Sequence, residues 1–536
     1  MSTFREGLRT LVSLCDNFIS IVGLVIVAVS TLLIVTFIVF SLITTNPNPY
    51  FDIVGYMVLP GVLVMGLLIV PVGVYLKYRR RLREAADPDV DPVAINLRDR
   101  RIRGAALVFS GATFLVVLPI LAVSGYEGYH YTESTEFCAK VCHTVMEPQG
   151  VAHASSPHAR VRCAACHIGE GAGWFVKSKL SGTRQVFAVW LNTYSRPIPP
   201  AITELRPARE TCEECHWPAK FFGSQLKEYV HYSPDEANSR RVVRAILKVG
   251  GADESIGRVE GIHMHMITEA KIQYVASDEH LQDIRWVKHI AKDGTEEVYR
   301  SDGLPADAPP PEGIVRTVDC MDCHNRGAHH FRPPARAIDL ELEAGRIDRT
   351  LPFIKRESVK AMLIPYDSVE AAEAGIRKHL MTFYAENYPE ILKSRGDAVE
   401  AAVSAVQAAY RRNNFPYMRV NWQSYPENIG HMMSSGCFRC HDGRHVSDDG
   451  RAISSSCETC HTFLTPVEGQ PNIYREGPFV HSFDLDPRHS NLRCEQCHNG
   501  GLLLLCRDCH DQLQGLAKWT GRDLFRPANP PAPLEG

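Results

Sequence analysis

The chain has 536 residues, 45% of them hydrophobic and 22% charged, with a formal net charge of −3. Such a length accommodates roughly two to four domains, and the charge balance argues against nucleic acid as the main partner. Two features exclude an ordinary soluble enzyme: 17 cysteines, and long apolar runs gathered almost entirely before Gly125.

Three of those runs predict membrane-spanning helices: about Phe18 to Ile43, about Ile53 to Leu76 (interrupted by Pro60 and Pro71), and Ala105 to about Tyr126. None carries a charged side chain, and each approaches or exceeds the ~20 residues that cross hydrocarbon. The first run is too long for a cleavable signal and lacks a small-residue cleavage site. The stretch Lys77 to Arg103 carries Lys77, Arg79, Arg80, Arg81, Arg83, Arg98, Arg100, Arg101 and Arg103, whereas Thr44 to Asp52 carries no lysine or arginine. Basic loops stay in the cytoplasm. The expected topology is therefore a cytoplasmic N-terminus, three crossings, and everything after the third span outside the inner membrane.

Beyond the membrane region, Glu127 to Gly223 contains a predicted helix, Trp174 to Tyr194, and a proline-rich turn, Arg196 to Pro200. Val242 to Val249 and Lys271 to Val275 predict strands, with a hairpin turn at Asp293-Gly294. They suggest a small β-rich insert that closes at Pro305 to Pro311. Ser358 to Met381 and Gly396 to Arg412 have helical composition, and the tail from Pro527 to Pro533 should be irregular. The expected fold is mixed, mainly α and irregular: three transmembrane helices in 1–126, a first cysteine-rich module in 127–223, the β-rich insert in 224–318 and a C-terminal domain in 319–536.

Sixteen of the cysteines fall into eight close pairs, and histidine follows every second cysteine. Seven read C-x-x-C-H: Cys163/Cys166/His167, Cys212/Cys215/His216, Cys320/Cys323/His324, Cys437/Cys440/His441, Cys457/Cys460/His461, Cys494/Cys497/His498 and Cys506/Cys509/His510. The eighth, Cys138/Cys142/His143, has one residue more between its cysteines. The remaining Cys15 reads as a buried small hydrophobe. One such pair could be a zinc knuckle, a redox pair or a disulfide. Zinc sites gather two half-sites and have no reason to place histidine after every pair. Eight repeats without exception point to covalent c-type haem, with two thioethers to the porphyrin and the adjacent histidine on the iron. The expected cofactor is eight covalent haems c. All eight motifs follow the third span, outside the cytoplasm, where haem c is attached. Only seven residues separate His498 from Cys506, so at ~3.5 Å per residue the last two haems must be neighbours. The motifs at Cys437 and Cys457 are linked by the same logic, more loosely.

Eight histidines are proximal ligands and 15 of the 23 remain. The favoured distal candidates are His158, His263, His265, His330, His431, His445 and His481. His263 and His265 alternate in His-Met-His-Met and on a strand would face the same way. His130, His153, His231, His280, His289, His329, His379 and His489 are weaker candidates. Met146, three residues after His143, is a further axial candidate.

Phe137-Cys-Ala-Lys-Val-Cys-His-Thr-Val-Met146 and Ser156-Pro-His-Ala-Arg-Val-Arg-Cys-Ala-Ala-Cys-His167 resemble the first two haem sites of the NapC/NirT family of membrane-anchored quinol dehydrogenases. The likeness covers about Glu127 to Gly223 and extends toward Cys320. The whole layout resembles the larger inner-membrane multihaem cytochromes of metal-reducing bacteria. The family usually has C-x-x-C-H-x-M and one membrane helix, so the first site here departs by two inserted residues and by its extra spans.

The resemblance implies oxidation of menaquinol or ubiquinol beside the first haem and delivery of electrons to periplasmic cytochromes or reductases. It implies a quinol-side lysine after the second haem, for which Lys179 is preferred over Lys177, with Gln185 as a second candidate. Glu133, Glu136 and Glu147 lie near the first motif as possible proton acceptors, although a solvated face is the commoner role for such residues. Two other readings stay open: a purely conducting haem subunit of a larger respiratory complex, and an octahaem reductase of nitrite, hydroxylamine or tetrathionate. The second is disfavoured because no C-x-x-C-K motif is present. The lipid bilayer is the other expected partner, and a homo-oligomer is left open.

Overall fold

The computed structural model describes residues 9–478 apart from 10–11, 14, 44–52, 85–99, 142, 169–171, 201–206, 218–222, 251–260, 268–269, 302–303, 306–307 and 433. The last two expected haem motifs, Cys494/Cys497/His498 and Cys506/Cys509/His510, lie outside the described residues. So do the candidates His481 and His489, as well as Cys142 and the side chain of His143. The chain divides into two compact units, Met1–Met146 with Arg162–Ala164, and Glu147–Val161 with everything from Ala165 onward.

In the first unit, α1 (Phe18–Ile43) and α2 (Leu59–Glu84) hold the first two apolar runs, with a π turn at Val54–Val58 leading into α2. Among the described residues, two stretches, Phe18–Phe40 and Val54–Arg80, are long and apolar enough to cross a membrane. They pack closely because their contact is built from small residues. A Cβ at Gly73 would lie 2.6 Å from the Ser20 nitrogen, and Gly23 and Gly66 face each other the same way. The Ser20 hydroxyl donates to the Val70 carbonyl (3.1 Å). The third run is helical throughout, as α3 (Arg100–Ala112), a π turn at Thr113–Val117 and α4 (Leu118–Thr132). Its Val117 joins Ile34 and Leu63 in one buried cluster, flanked by Ile120 and Leu121. Lys77, near the end of α2, donates to the Ser13 carbonyl (2.8 Å) just before α1. The N-terminal end of the first helix and the C-terminal end of the second therefore share one side. Cys15 is buried, as a small hydrophobe would be.

The next helices are α5 (His143–Ala154), α6 (Cys163–His167), α7 (Ala172–Trp190) and α8 (Ala208–Cys212). On α7 and the residue after it, Val176, Leu180, Phe187 and Leu191 follow at four, seven and four residues, so they share a face. All four are more than half exposed. The helix contains no acidic residue and carries Lys177, Lys179 and Arg184.

Two antiparallel sheets follow. They comprise β1 (Gln225–Tyr232), β2 (Arg240–Leu247), β3 (Lys271–Ala276), β4 (Ile284–Ile290), β5 (Glu296–Arg300), β6 (Ile314–Thr317), β7 (Val446–Ser447), β8 (His461–Val467) and β9 (Gln470–Gly477). One sheet runs β1-β2-β8-β9 and the other β6-β3-β4-β5-β7. The hairpin turn at Asp293-Gly294 joins β4 to β5, with Gly294 at φ +85° and the Asp293 carboxylate accepting from the Thr295 nitrogen (2.9 Å). The segment expected to be a separate insert supplies six of these nine strands. Each sheet is completed by chain from beyond residue 440, so 224–318 does not close on itself. The alternation within each strand gave no sign of which distant strand would cover its edge. The pair His263/His265 lies at a single helical turn, α9 (Met264–Ile267), and not on a strand, where the two would share a face.

The remaining elements are α10 (Cys320–Cys323), α11 (Pro334–Glu343), α12 (Ile354–Leu363), α13 (Val369–Asn387) and α14 (Pro389–Asn413). The last four form a helical body around Ile338, Ile354, Val359, Ile376, Leu380, Val399 and Val406, all fully buried. Ser368 caps α13 by accepting from the Ala371 nitrogen (3.1 Å), and Pro389 starts α14 where its missing N–H costs nothing. Asp339 is buried and binds both Lys355 Nζ (2.7 Å) and the Tyr232 nitrogen (3.0 Å), tying this body to β1.

Candidate functional site: paired histidines at the cysteine motifs

Among the described residues, the C-x-x-C-H segments at Cys163 and Cys320 form single α-helical turns and those at Cys437 and Cys457 3-10 turns, while the one at Cys212 is a turn that follows the end of α8. In the motifs at Cys163 and Cys212 the first cysteine is half-buried. The second, Cys166 in one and Cys215 in the other, is exposed, where a porphyrin edge can reach it. Each of five such histidines faces a second histidine ring. His167 lies 6.2 Å from His329 between ring centres, and His216 lies 6.0 Å from His158. His324 lies 6.3 Å from His263, His441 lies 5.9 Å from His265, and His461 lies 6.2 Å from His431.

This spacing tests whether the residues fit haem iron. Two imidazoles bound to one metal at roughly 2.0 Å each put their ring centres about 6 Å apart. The interplanar angles range from 3° to 88°, which a shared axis through the metal permits because the rings can turn about it. The tautomers fit as well. Nδ1 of His158 donates to the Gly327 carbonyl (2.9 Å), that of His329 to Gln149 (3.2 Å), that of His263 to Val249 (3.2 Å) and that of His265 to Ile262 (2.9 Å). On the motif side, Nδ1 of His441 donates to Ser454 (2.9 Å). A proton held on Nδ1 leaves Nε2 as the metal donor. Burial lowers the pKa of His167, His263, His265, His324 and His461, and brings His329 down to about 4. The neutral, ligating form is thus favoured.

The pairs are interwoven. His158 stands five residues before the motif at Cys163 yet faces the motif at Cys212. His329 follows the motif at Cys320 yet faces the motif that Cys163 and Cys166 open. His263, just before α9, and His265, within it, diverge, because residues two apart on a helical turn point to nearly opposite sides, and they face His324 and His441. The motifs at Cys212 and Cys320 also pack side by side, where α8 meets α10.

Side chains inside the motifs fix this arrangement. Asp322 is buried, binds Arg316 (2.6 Å), accepts from the Tyr274 hydroxyl and takes the Asp319 nitrogen (2.7 Å). Asp319 accepts from the Ala208 nitrogen (3.1 Å), joining α8 to α10. Arg439 spends its guanidinium on three carbonyls, Gly436 (2.9 Å), Leu281 (2.7 Å) and Asp322 (2.6 Å), which seats the motif at Cys437 on the one at Cys320. Phe438 stacks on His431 at 4.5 Å. Burial lowers the Arg326 guanidinium to about 10.

The other predicted residues lie elsewhere. His330 pairs with Glu427 (3.0 Å), so of two adjacent histidines the structure sets His329 against a motif. His445 is fully buried, with Nδ1 on the Asp442 carboxylate (2.9 Å) and Nε2 donating to the Ile284 carbonyl (3.0 Å), leaving neither nitrogen for a metal. His153 lies 6.3 Å from His329, but its Nε2 donates to Val161 (2.9 Å). His231 pairs with Asp339, His379 with Glu357, and His130 packs edge-on against Tyr126. Met146 shares α5 with His143, three residues on and so on the same face. Lys179 and Gln185 are on α7, where the Gln185 amide donates to Ser181 (3.3 Å). Lys177 lies 4.9 Å over the Trp174 ring. Glu133 is buried, and Glu136 and Glu147 are exposed. His329 could not be singled out from sequence: nothing in Ala-His-His separates it from His330, and only the return of the loop to Gln149 decides.

Comparison with known proteins agrees with this geometry. The N-terminal region of the NapC/NirT cytochrome c family matches residues 99–197, and cytochrome c3 matches residues 430–511. The cytochrome c-type protein ImcH of Geobacter sulfurreducens is 40% identical over 488 residues, covering 90% of this chain and 95% of the relative. This chain belongs to the NapC/NirT family of membrane-anchored multihaem c-type cytochromes. The cytochrome is also 33% identical over 114 residues to the cytochrome c nitrite reductase subunit NrfH of Nitratidesulfovibrio vulgaris, across 20% of this chain and 67% of the relative. No solved structure matches it. The family fixes the cofactor of this cytochrome as covalently bound haem c, and its site as the inner membrane.

Proposed function

We propose that this cytochrome carries eight haems, oxidises menaquinol or ubiquinol at the membrane surface, and passes the electrons to periplasmic acceptors. Each haem supplies reversible uptake of one electron at its iron. The observation that carries the reading is the weave of histidine pairs, which strings five consecutive motifs into one connected series. The two cysteines of each motif anchor the ring, as Cys163 with Cys166 and Cys212 with Cys215. The following histidine would hold the iron together with a second histidine: His329, His158, His263, His265 and His431 for the motifs that begin at Cys163, Cys212, Cys320, Cys437 and Cys457. The count of eight includes the motifs ending in Cys497-His498 and Cys509-His510, for which the regular C-x-x-C-H spacing is the support.

Three spans and the outside position of the haem region complete the proposal. Support comes from the shared cluster of Ile34, Leu63 and Val117, and from the Lys77 contact that sets the N-terminus on the side of the basic segment. Support for a quinol site comes from α7, whose exposed apolar face and basic side chains suit a membrane interface. Lys179 and Gln185 on that helix would bind the quinol oxygens, and Met146 or an open position would complete the first site. The names of the two relatives, a cytochrome c-type protein and a subunit of a cytochrome c nitrite reductase, fit a role in electron transfer. A purely conducting subunit remains the rival, and a quinol-site inhibitor separates the two. With the protein in lipid nanodiscs, electron paramagnetic resonance should show a first-site signal that shifts when the inhibitor binds. A spectrum indifferent to inhibitor would favour the conducting subunit.

A further inference from the structure

The loop from His324 to His330 is a hub for three motifs. It carries His324 itself, the Gly327 carbonyl that orients His158, and His329 opposite His167. Arg326 stands in the middle of it. Its Nε is buried with no hydrogen-bond partner. Its guanidinium carbon lies 4.3 Å over the ring of Tyr425, whose hydroxyl is held by the Ile198 carbonyl (2.7 Å). The nearby carboxylate of Glu427 is engaged by His330. Arg326 forms no ion pair within 4.0 Å among the described residues, and His329 lies within reach of its charge.

Two arginines beside other motifs are spent differently. Arg316 is paired with Asp322, and Arg439 donates to three carbonyls. A half-buried guanidinium held by an aromatic face, with its Nε withdrawn from water and unbonded, lacks an anion. Haem c carries two propionate carboxylates in addition to the groups that the cysteines attach, and the arginine fork matches a carboxylate with two parallel hydrogen bonds.

We propose that Arg326 binds a propionate of the haem held between His167 and His329, with Tyr425 as the platform that orients the guanidinium. The proposal rests on the haem reading and adds to it a residue outside the attachment motif. Arg326 acts here as a binding residue that also sets the charge at one position in the series.

The test uses the full-length cytochrome in nanodiscs, with wild type, Arg326→Gln and Arg326→Lys compared by spectroelectrochemical titration and haem quantification. Loss of the positive charge favours the oxidised iron. Arg326→Gln should keep its haem content and low-spin signals while one component titrates lower. At the wild-type midpoint of that component the reduced-to-oxidised ratio should fall about tenfold, equivalent to about 59 mV for one electron. Its potential should also become pH-dependent near neutrality, because the propionate has lost its partner. Arg326→Lys keeps the charge and loses the fork, so it should retain most of the potential but move the propionate bending band in resonance Raman spectra. Unchanged potentials and pH profile in Arg326→Gln, or an unmoved band in Arg326→Lys, would overturn the proposal. A failure of the haem reading itself would appear separately, as a wild-type haem count or spin state that does not fit.

Discussion

Adjacent histidines can have unrelated tasks. His329 and His330 are chemically identical neighbours, yet one ring faces His167 and the other is paired with Glu427. Replacing His329 by alanine should therefore leave one iron with an open axial position, giving a new high-spin signal in electron paramagnetic resonance at unchanged haem content. His445→Ala should leave every spin state as it was. It removes a ring whose two nitrogens bind Asp442 and Ile284 and should cost about 2 kcal/mol of stability, read from thermal melts. A high-spin signal in His445→Ala with none in His329→Ala would reverse the assignment. The attachment cysteines and proximal histidines were legible in the sequence because covalent chemistry demands adjacent residues. The distal partners were only partly legible, because they stand from 30 residues (His431 to His461) to 176 residues (His265 to His441) from the histidine they face, and the spacing does not encode the return path.

At the scale of elements, the helical body of α11 to α14 was legible only in part: Ser358 to Met381 and Gly396 to Arg412 have helical composition, but α11 was not foreseen and the break between α12 and α13 falls inside the first stretch. The polar interior of the body was not legible. Lys355 and Asp339 are both buried and bonded at 2.7 Å. Removing one partner strands the other charge, so Asp339→Asn should destabilise this body by about 3–5 kcal/mol, seen as an earlier loss of helical circular dichroism on heating. Glu357 gives the body a pH dependence. Burial pushes its carboxyl up, but hydrogen bonds from His379, Arg356 and Lys360 outweigh this and bring it down to about 2. A carboxyl with a depressed folded value stabilises fully above its unfolded value near 4.5, and that contribution is lost as pH falls from there toward 2. The loss should be about 3 kcal/mol across this window, and Glu357→Gln should flatten the profile there. The strands were partly legible: Asp293-Gly294 marked its hairpin correctly, while the alternation in β1 to β6 could not reveal that β7, β8 and β9 complete the sheets. Those edges are closed by chain that also carries the Cys437 and Cys457 motifs, so sheet formation and motif placement are one event. The His-Met-His pair shows the opposite error. Its alternation suits a strand, but the turn at α9 sends the two rings to different motifs, which ties two neighbouring sites to one short segment.

For the whole molecule, the proposed direction of electron flow would depend on membrane topology and on one entrance. The exposed face of Val176, Leu180, Phe187 and Leu191, with Lys179 beside it, suits a surface where a lipid-soluble substrate would arrive. Lys179→Gln should raise the KM for a menaquinol analogue by about tenfold, equivalent to one lost charge-assisted hydrogen bond, with haem content and spectra unchanged. The most direct measurement is anaerobic stopped-flow mixing of the wild-type cytochrome in nanodiscs with a menaquinol analogue, following the haem α-band. The expected result is reduction of the haems that a quinol-site inhibitor blocks. Haems that remain oxidised under quinol, yet are fully reduced by dithionite, would contradict quinol oxidation by this cytochrome.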